Sequence, residues 1–138
     1  MFQKILVAID GSALADKALK TAVELAKAEG AALTILSVIP LTDMGTAETI
    51  SVARAEAAKM KYPFLQKAQE YAASSNVDAE TLILCGHPGQ VIVDYLNEHP
   101  HDLVVLGHRG ISNIQALLMG SVAYKVANEA PCAVLIVK

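Results

Sequence analysis

Four small residues near the end of the chain, Gly107, Gly110, Gly120 and Ser121, have the types and spacing of an anion-binding loop. The run 102–106 before them, apolar after its first residue, predicts a buried strand, and the pattern after Ser121 predicts a helix. Glycine lets the main chain approach a phosphate closely, and the first amides of a helix have no acceptor within it. This stretch therefore predicts a site for a phosphate group.

Each residue of this loop also has a plainer interpretation. The glycines are equally typical of ordinary turns, and Ser121 is expected to cap the last helix whether or not its hydroxyl also binds phosphate. Val122 can contribute only its amide. Arg109 either neutralises phosphate charge or is a solvated surface side chain, while His108 is expected to be exposed and is assigned no role. Residues 111–119 are expected to fold back as one helical turn packed on the body, because both ends of the loop converge on one ligand.

A second polar element ends the first predicted strand. Asp10 and Gly11 have turn chemistry, and Ser12 is expected to be the N-cap of the helix that follows. The Asp10 carboxylate repels a phosphate, so it suits a ribose hydroxyl or a metal-bound water; its plainer interpretation is a turn residue at a strand end. Asp10 therefore predicts a polar group beside the phosphate rather than on it.

The remaining pattern predicts strands that alternate with helices. The predicted strands are 4–9, 32–39, 77–85, 102–106 and 133–137. The first predicted helix begins after Ser12 and stops at Gly30. The second follows a loop at 41–47 and runs from about 50 to 73, with a kink or break near Pro63. The third starts at about Pro88 and the fourth after Ser121.

This alternation predicts an α/β fold in a single domain, 1–138. The simplest arrangement is a doubly wound five-stranded parallel sheet of order 3-2-1-4-5 with helices on both faces. In that order the winding reverses between the first and fourth strands. A ligand is therefore expected at the carboxyl ends of those two strands, where Asp10 and Gly107 lie.

Three stretches of the chain resemble the universal stress protein family. The spacing from Gly107 through Gly110 and Gly120 to Ser121 looks like the nucleotide-binding signature of that family. The opening and closing stretches, 4–12 and 131–137, are also similar to it. The resemblance covers nearly the whole chain and also supports the sheet order given above.

The resemblance implies an ATP-binding protein of stress response or signalling, with ADP or AMP as alternative ligands. It implies that Asp10 lies near the nucleoside and that the backbone of Val38 meets the adenine edge, with Ala8 and Ile39 as apolar walls. The expected nucleotide-binding residues are Ala8, Ile9, Asp10, Val38, Leu106, Gly107, Arg109, Gly110, Gly120, Ser121 and Val122.

Several enzyme classes are disfavoured by motifs that the sequence lacks. It has no G-x-x-x-x-G-K-[ST] of P-loop hydrolases and no G-x-G-x-x-G after the first strand. No catalytic constellation or metal-ligand cluster stands out, and His99 and His101 are expected to be helix-end residues. Any Mg²⁺ is expected to be held mostly by phosphates and water. A slow ATPase or phosphotransferase, and a nucleotide-independent interaction module of the same fold, remain alternatives.

Composition narrows the partners and the compartment. The net charge is −3 with no basic stretch, which disfavours nucleic-acid binding. No apolar run reaches the roughly 18 residues of a membrane helix, and the first residues do not resemble a signal peptide. Cys85 and Cys132 form no CxxC pair and are expected to be small buried residues in a reducing, cytoplasmic setting.

The last predicted strand would be an unprotected edge of the sheet. Residues 133–137 carry neither an inward charge nor a proline, and such edges are normally paired or covered. We therefore expect a C2 homodimer in which this strand pairs with the same strand of a second chain, as the family resemblance also implies.

Overall fold

The computed structural model describes residues 1–40, 63–110 and 119–138. In these ranges strands and helices alternate along the chain. They are β1 (Lys4–Ala8), α1 (Ala13–Glu29), β2 (Ala32–Ile39), α2 (Pro63–Ser74), β3 (Ala79–Cys85), α3 (Pro88–Glu98), β4 (Leu103–Gly107), α4 (Ser121–Glu129) and β5 (Ala133–Val137).

The strands form one parallel sheet of order β3-β2-β1-β4-β5, which confirms the predicted fold. β1 lies in the middle, where Ile5 pairs with Leu103 of β4 and with Leu33 of β2. The chain winds outward from β1 through β2 to β3, and then crosses back to β4 and β5. The winding thus reverses between β1 and β4, and their carboxyl ends lie side by side.

Helices cover both faces of the sheet because the central strands are apolar on both faces. Ile5 and Val7 of β1 pack in one apolar layer with α1 and α2. Leu6, between them in sequence, packs in the opposite layer with α3 and α4. No helix in the described ranges is long and apolar enough to cross a membrane.

Helix α1 begins and ends as its sequence predicts. The Ser12 side chain accepts a hydrogen bond from the Ala15 amide, and Gly30 ends the helix in the left-handed conformation, with φ 65°. The predicted loop 41–47 and the part of the predicted long helix before Pro63 lie outside the described residues, so the kink is untested. α2 begins at Pro63.

Three strands have boundaries that differ from the prediction, and β1 ends at Ala8 instead of Ile9. β3 begins at Ala79 rather than at Val77, because the Val77 amide donates to Ala72 O and closes the end of α2 instead. β4 extends through Gly107, which pairs with Val137 of β5. The first glycine of the predicted loop is therefore the last residue of a strand.

At the amino edge of the sheet, Asp102 holds the start of β1 beside β4. Its Oδ2 accepts hydrogen bonds from the amides of Lys4 and Gln3, both at 2.8 Å. These two amide donors, first Lys4 and then Gln3, hold the pKa of the Asp102 carboxyl below its ordinary value. The charged carboxylate is thus part of the native arrangement of this edge.

Candidate functional site

A cleft of about 360 Å³ opens at the carboxyl ends of β1 and β4, where the winding of the sheet reverses. This volume is within the range of small-molecule sites, roughly 300–1,000 Å³. The described residues that line the cleft are Ala8, Asp10, Ala15, Pro40, Pro88, Leu106, Gly107, Arg109, Gly110, Gly120, Ser121, Val122 and Ala123.

The N-terminus of α4 forms one wall of the cleft. Gly120 is its N-cap residue and makes no side-chain cap, so the expectation that Ser121 caps this helix is wrong. Gly120 O accepts the first bond of the helix, from the Tyr124 amide at 2.9 Å. The amides of Ser121, Val122 and Ala123 precede that bond and have no acceptor within the helix. All three residues line the cleft, where these amides favour an anion.

The three glycines bring separate segments of the chain close together. A Cβ atom on Gly107 would lie 3.1 Å from the Leu14 carbonyl carbon, so this glycine permits α1 to pack on the end of β4. A Cβ on Gly110 would collide with Asp10 Oδ2, and one on Gly120 would lie 3.3 Å from Arg109 Cα. Gly107 thus serves internal packing, whereas Gly110 and Gly120 keep the walls of the cleft close together.

Asp10 is fixed at the floor of the cleft by the turn that follows β1. Its Oδ1 accepts a hydrogen bond from the Ser12 amide at 3.0 Å. Its Oδ2 lies against Gly110, in the segment that leaves β4. Asp10 is therefore both a turn residue and a residue that lines the cleft, and the two interpretations of the sequence are compatible.

Charge in the cleft is nearly balanced among the residues that the structure describes. Asp10 and Arg109 are the ionisable side chains of its described lining, and Arg109 is half-buried rather than fully solvated. A bound polyanion would therefore be attracted mainly by the amides and dipole of α4, with Arg109 as the added cation.

Most residues of the predicted set line this cleft, but Ile9 and Val38 do not. Ile9 is buried in the apolar layer beneath α1, and its amide donates to Leu36 O at 2.9 Å. Val38 packs on the layer beneath α3 and α4. The side chains of both residues are therefore committed to packing.

The sequence interpretation missed Ala15, Pro40, Pro88 and Ala123 as lining residues. None carries a chemical group that signals a binding role. Their position was nevertheless accessible from the predicted topology, because Pro40 directly follows β2 and Pro88 opens α3. Both prolines lie at the same edge of the sheet as the ends of β1 and β4.

The cysteines and histidines lie outside this cleft. Cys85 and Cys132 are free thiols and half-buried, less buried than expected. Burial, together with the charge of Asp102, raises the pKa of the Cys132 thiol. His99 is the C-cap residue of α3, and its ring stacks on Tyr95. Among the described residues, no group of three or more His, Cys, Asp or Glu is placed to hold a metal ion.

The fold and the cleft together define an α/β protein with an open cleft at the switch point of a doubly wound sheet. The model of the universal stress protein family matches residues 1–138, and the chain belongs to this family. It is 38% identical over 148 residues to the universal stress protein YxiE of Bacillus subtilis (strain 168), and the alignment covers 100% of both chains.

Solved structures of similar proteins agree with the fold. The universal stress protein UspA from Lactobacillus plantarum is 33% identical with a TM-score of 0.82, over 99% of this chain and 97% of that chain. A universal stress protein solved in complex with cAMP is 30% identical with a TM-score of 0.76, again over 99% of this chain and 97% of that chain.

Proposed function

We propose that this universal stress protein binds an adenine nucleotide, ATP in the first place, and acts in stress response or signalling in the cytoplasm. One observation carries the proposal: the first turn of α4, whose amides have no acceptor within the helix and no side-chain cap at Gly120, lines the cleft at the switch point. The similar protein solved with cAMP supports an adenine nucleotide as the class of ligand. The two free thiols suit a reducing compartment.

The lining of the cleft suggests how the nucleotide lies in it. The phosphates would meet the amides of Ser121 and Val122, with Arg109 as the balancing cation. The Asp10 carboxylate would accept a ribose hydroxyl, because it repels phosphate. The base would then lie toward the end of β2, where Pro40 offers an apolar wall. Mg²⁺, if it accompanies the phosphates, would be held mostly by them and by water.

We infer binding rather than fast turnover. Asp10 is the one carboxylate of the described lining, and its Oδ1 already accepts the Ser12 amide. The nucleotide would therefore stabilise or report a state of the protein. Steady-state hydrolysis should stay below about one turnover per minute. That rate corresponds to an activation free energy of roughly 20 kcal/mol. Clearly faster hydrolysis would instead support the ATPase alternative.

Calorimetry tests the proposal directly. The protein is titrated with ATP, ADP, AMP and, as a control for the base, GTP. A saturating adenine nucleotide at 100 times its dissociation constant should stabilise the native state by about 2.7 kcal/mol and raise Tm accordingly. The absence of both heat and a Tm shift at millimolar ATP would refute nucleotide binding and favour a nucleotide-independent interaction module.

We also propose a homodimer along β5. β5 and β3 are the two edges of the described sheet, and β3 carries an exposed Glu80 that discourages pairing. β5 is apolar throughout and half-buried after its first residue. The His108 amide donates to Val137 O, so the peptide groups of Val137 face β4. Because a strand alternates its peptide groups between its two neighbours, those of Val134 and Ile136 face the outer edge.

This alternation gives a matched pair of variants. Val134→Pro removes an outward amide and no bond to β4, so it should yield a folded monomer. Val134→Ala loses nearly the same side-chain packing but keeps the amide, so it should remain a dimer. Sedimentation velocity distinguishes the two species. A Val134→Pro protein that stays dimeric would exclude β5 as the interface.

A further inference from the structure

The backbone of His108 joins the end of β5 to the start of α4. Its amide donates to Val137 O at 2.8 Å, and its carbonyl oxygen accepts from the Gly120 amide at 2.8 Å. Gly120 is the N-cap of α4, whose open amides line the cleft. The main chain of a single residue thus lies between the sheet edge and the end of the helix proposed to bind an anion.

The contacts of Gly120 make this connection stiff. A Cβ on Gly120 would lie 3.3 Å from Arg109 Cα and 3.4 Å from His108 O. The N-cap therefore packs directly on the backbone that leaves β4, with no intervening side chain. A displacement of His108 would move Gly120, and with it the amides of Ser121 and Val122.

The other end of the connection is the less restrained one. β5 has one neighbour in the described sheet, and Val137 is only half-buried. The ends of edge strands open with little free energy compared with central strands. Val137 O is thus held by a strand whose pairing is incomplete in the single chain. A partner strand along the outer edge would complete that pairing.

We propose that pairing of β5 in the dimer and nucleotide binding at α4 strengthen each other through the main chain of His108. The inference rests on the proposed function, because it needs both the nucleotide and the dimer. Its two states are the paired and the open carboxyl end of β5. A partner strand favours the paired state, which fixes Val137 O, His108 and Gly120 in the arrangement that presents the α4 amides. Nucleotide bound to those amides favours the same state, and the linkage must be equal in both directions.

His108 and Val137 are positioning residues in this account. Neither is among the described residues that line the cleft, and both act through main-chain atoms. The imidazole of His108 has no part in the linkage. This separates the proposal from a direct role of the side chain in phosphate binding and supplies a matched pair of variants. His108→Pro removes the amide that bonds to Val137 O, whereas His108→Ala keeps it.

The experiment measures the linkage from both sides. Sedimentation equilibrium gives the dimer dissociation constant of the wild-type protein with and without saturating ATP. Calorimetry gives the ATP dissociation constant of the wild-type dimer and of the Val134→Pro monomer. The Val134→Pro monomer should bind ATP at least about fivefold more weakly than the dimer, the lower end of typical couplings. Because each dimer holds two nucleotides, saturating ATP should tighten the dimer by the square of that per-site factor, at least about 25-fold. His108→Ala should keep this factor, and a folded His108→Pro protein should reduce it to about one.

The outcomes separate this inference from the proposed function. Wild-type protein that binds no ATP, or forms no dimer, overturns the proposed function and the linkage together. Protein that binds ATP and dimerises with the same constant in both conditions overturns the linkage alone. If His108→Pro does not fold, the comparison of the wild-type dimer with the Val134→Pro monomer still decides whether the two sites are linked. A full coupling factor in a folded His108→Pro protein overturns the route through His108.

Discussion

Two helices begin at the rim of the same cleft, and only one of them has a side-chain N-cap. At the start of α1, Ser12 Oγ accepts the Ala15 amide at 3.2 Å, and Asp10 Oδ1 accepts the amide of Ser12 itself. At the start of α4, the N-cap is Gly120, which has no side chain that could accept an amide. The first turn of α1 therefore has a side-chain acceptor for its Ala15 amide, whereas the N-cap of α4 offers no side-chain acceptor to the amides of that helix.

This difference shows which helix can gain from a ligand. An amide that already has an internal acceptor gains little from an anion, whereas an open amide exchanges only water for it. The amides at the start of β1 also have an internal acceptor, because Asp102 accepts hydrogen bonds from Gln3 and Lys4. The position of the capping side chains, rather than the presence of a helix dipole, thus favours α4 as the proposed anion site.

The largest effect is expected from closing the open end of α4. Gly120→Val places a branched side chain against the Arg109 and His108 backbone, and it would block the path proposed for the phosphates. The stabilisation by ATP, about 2.7 kcal/mol at 100 times the dissociation constant, should disappear. Thermal unfolding with and without ATP measures this loss.

A glycine remote from the cleft provides the control. Gly30 ends α1 with φ 65° and has open space around it. Gly30→Ala should destabilise the protein by about 1 kcal/mol because of its left-handed conformation, and yet keep the full shift with ATP. A Gly120→Val protein with an unchanged ATP shift would contradict the assignment of α4 as the anion site.

An intermediate effect is expected from exchanging the two serines for alanine. Ser12→Ala removes the cap of α1 and should lower the free energy of unfolding by about 1 kcal/mol, with ATP affinity unchanged. Ser121→Ala removes no cap, so it should leave stability within about 0.5 kcal/mol. It keeps the amide but removes the hydroxyl as a second phosphate donor, so it should weaken only ATP binding. Urea unfolding and calorimetry on both variants give the four values. Equal losses of stability in the two variants would show that the side chains of Ser12 and Ser121 do not differ as N-caps.

The smallest effect is expected at Asp102, which accepts hydrogen bonds from the amides at the start of β1. The pKa of the Asp102 carboxyl is lowered in the native state, so the native protein binds fewer protons than the unfolded chain. The stability that this difference contributes is lost as pH falls through and below the ordinary pKa of 3.8. Asp102→Asn should therefore flatten the fall in stability between about pH 5 and pH 3 relative to wild type. Urea midpoints at the two pH values measure it. Parallel pH profiles would show that the charge of Asp102 is not linked to folding.

Much of the fold follows from local sequence patterns. The apolar run of β4 and the capping residues Ser12 and Gly30 define their elements through neighbours in the chain. Element boundaries were less accessible where long-range bonds compete. Val77 leaves β3 because its amide finds Ala72 O, and Gly107 joins β4 because β5 pairs with it.

The candidate site divides in the same way. Gly110, Gly120 and Asp10 are recognisable from residue type and spacing, because close approach and turn chemistry need those residues. Pro40 and Pro88 are not, since an apolar wall has no chemical signature. Ile9 and Val38 lie close to the strand ends in sequence, but their side chains pack in the apolar layers. A role in nucleotide binding would fall to their main-chain atoms, which is the role that the resemblance implies for Val38.

The sequence by itself determined the strands, the sheet order, the glycine loop and the capped start of α1, because each depends on periodicity, chain connectivity or contacts a few residues apart. Only the tertiary structure decided that Gly120 rather than Ser121 caps α4, and that the His108 backbone joins this helix to β5. Both depend on hydrogen bonds between segments that are distant in sequence, whose geometry exists only after β4 and β5 have paired and α4 has packed on the sheet.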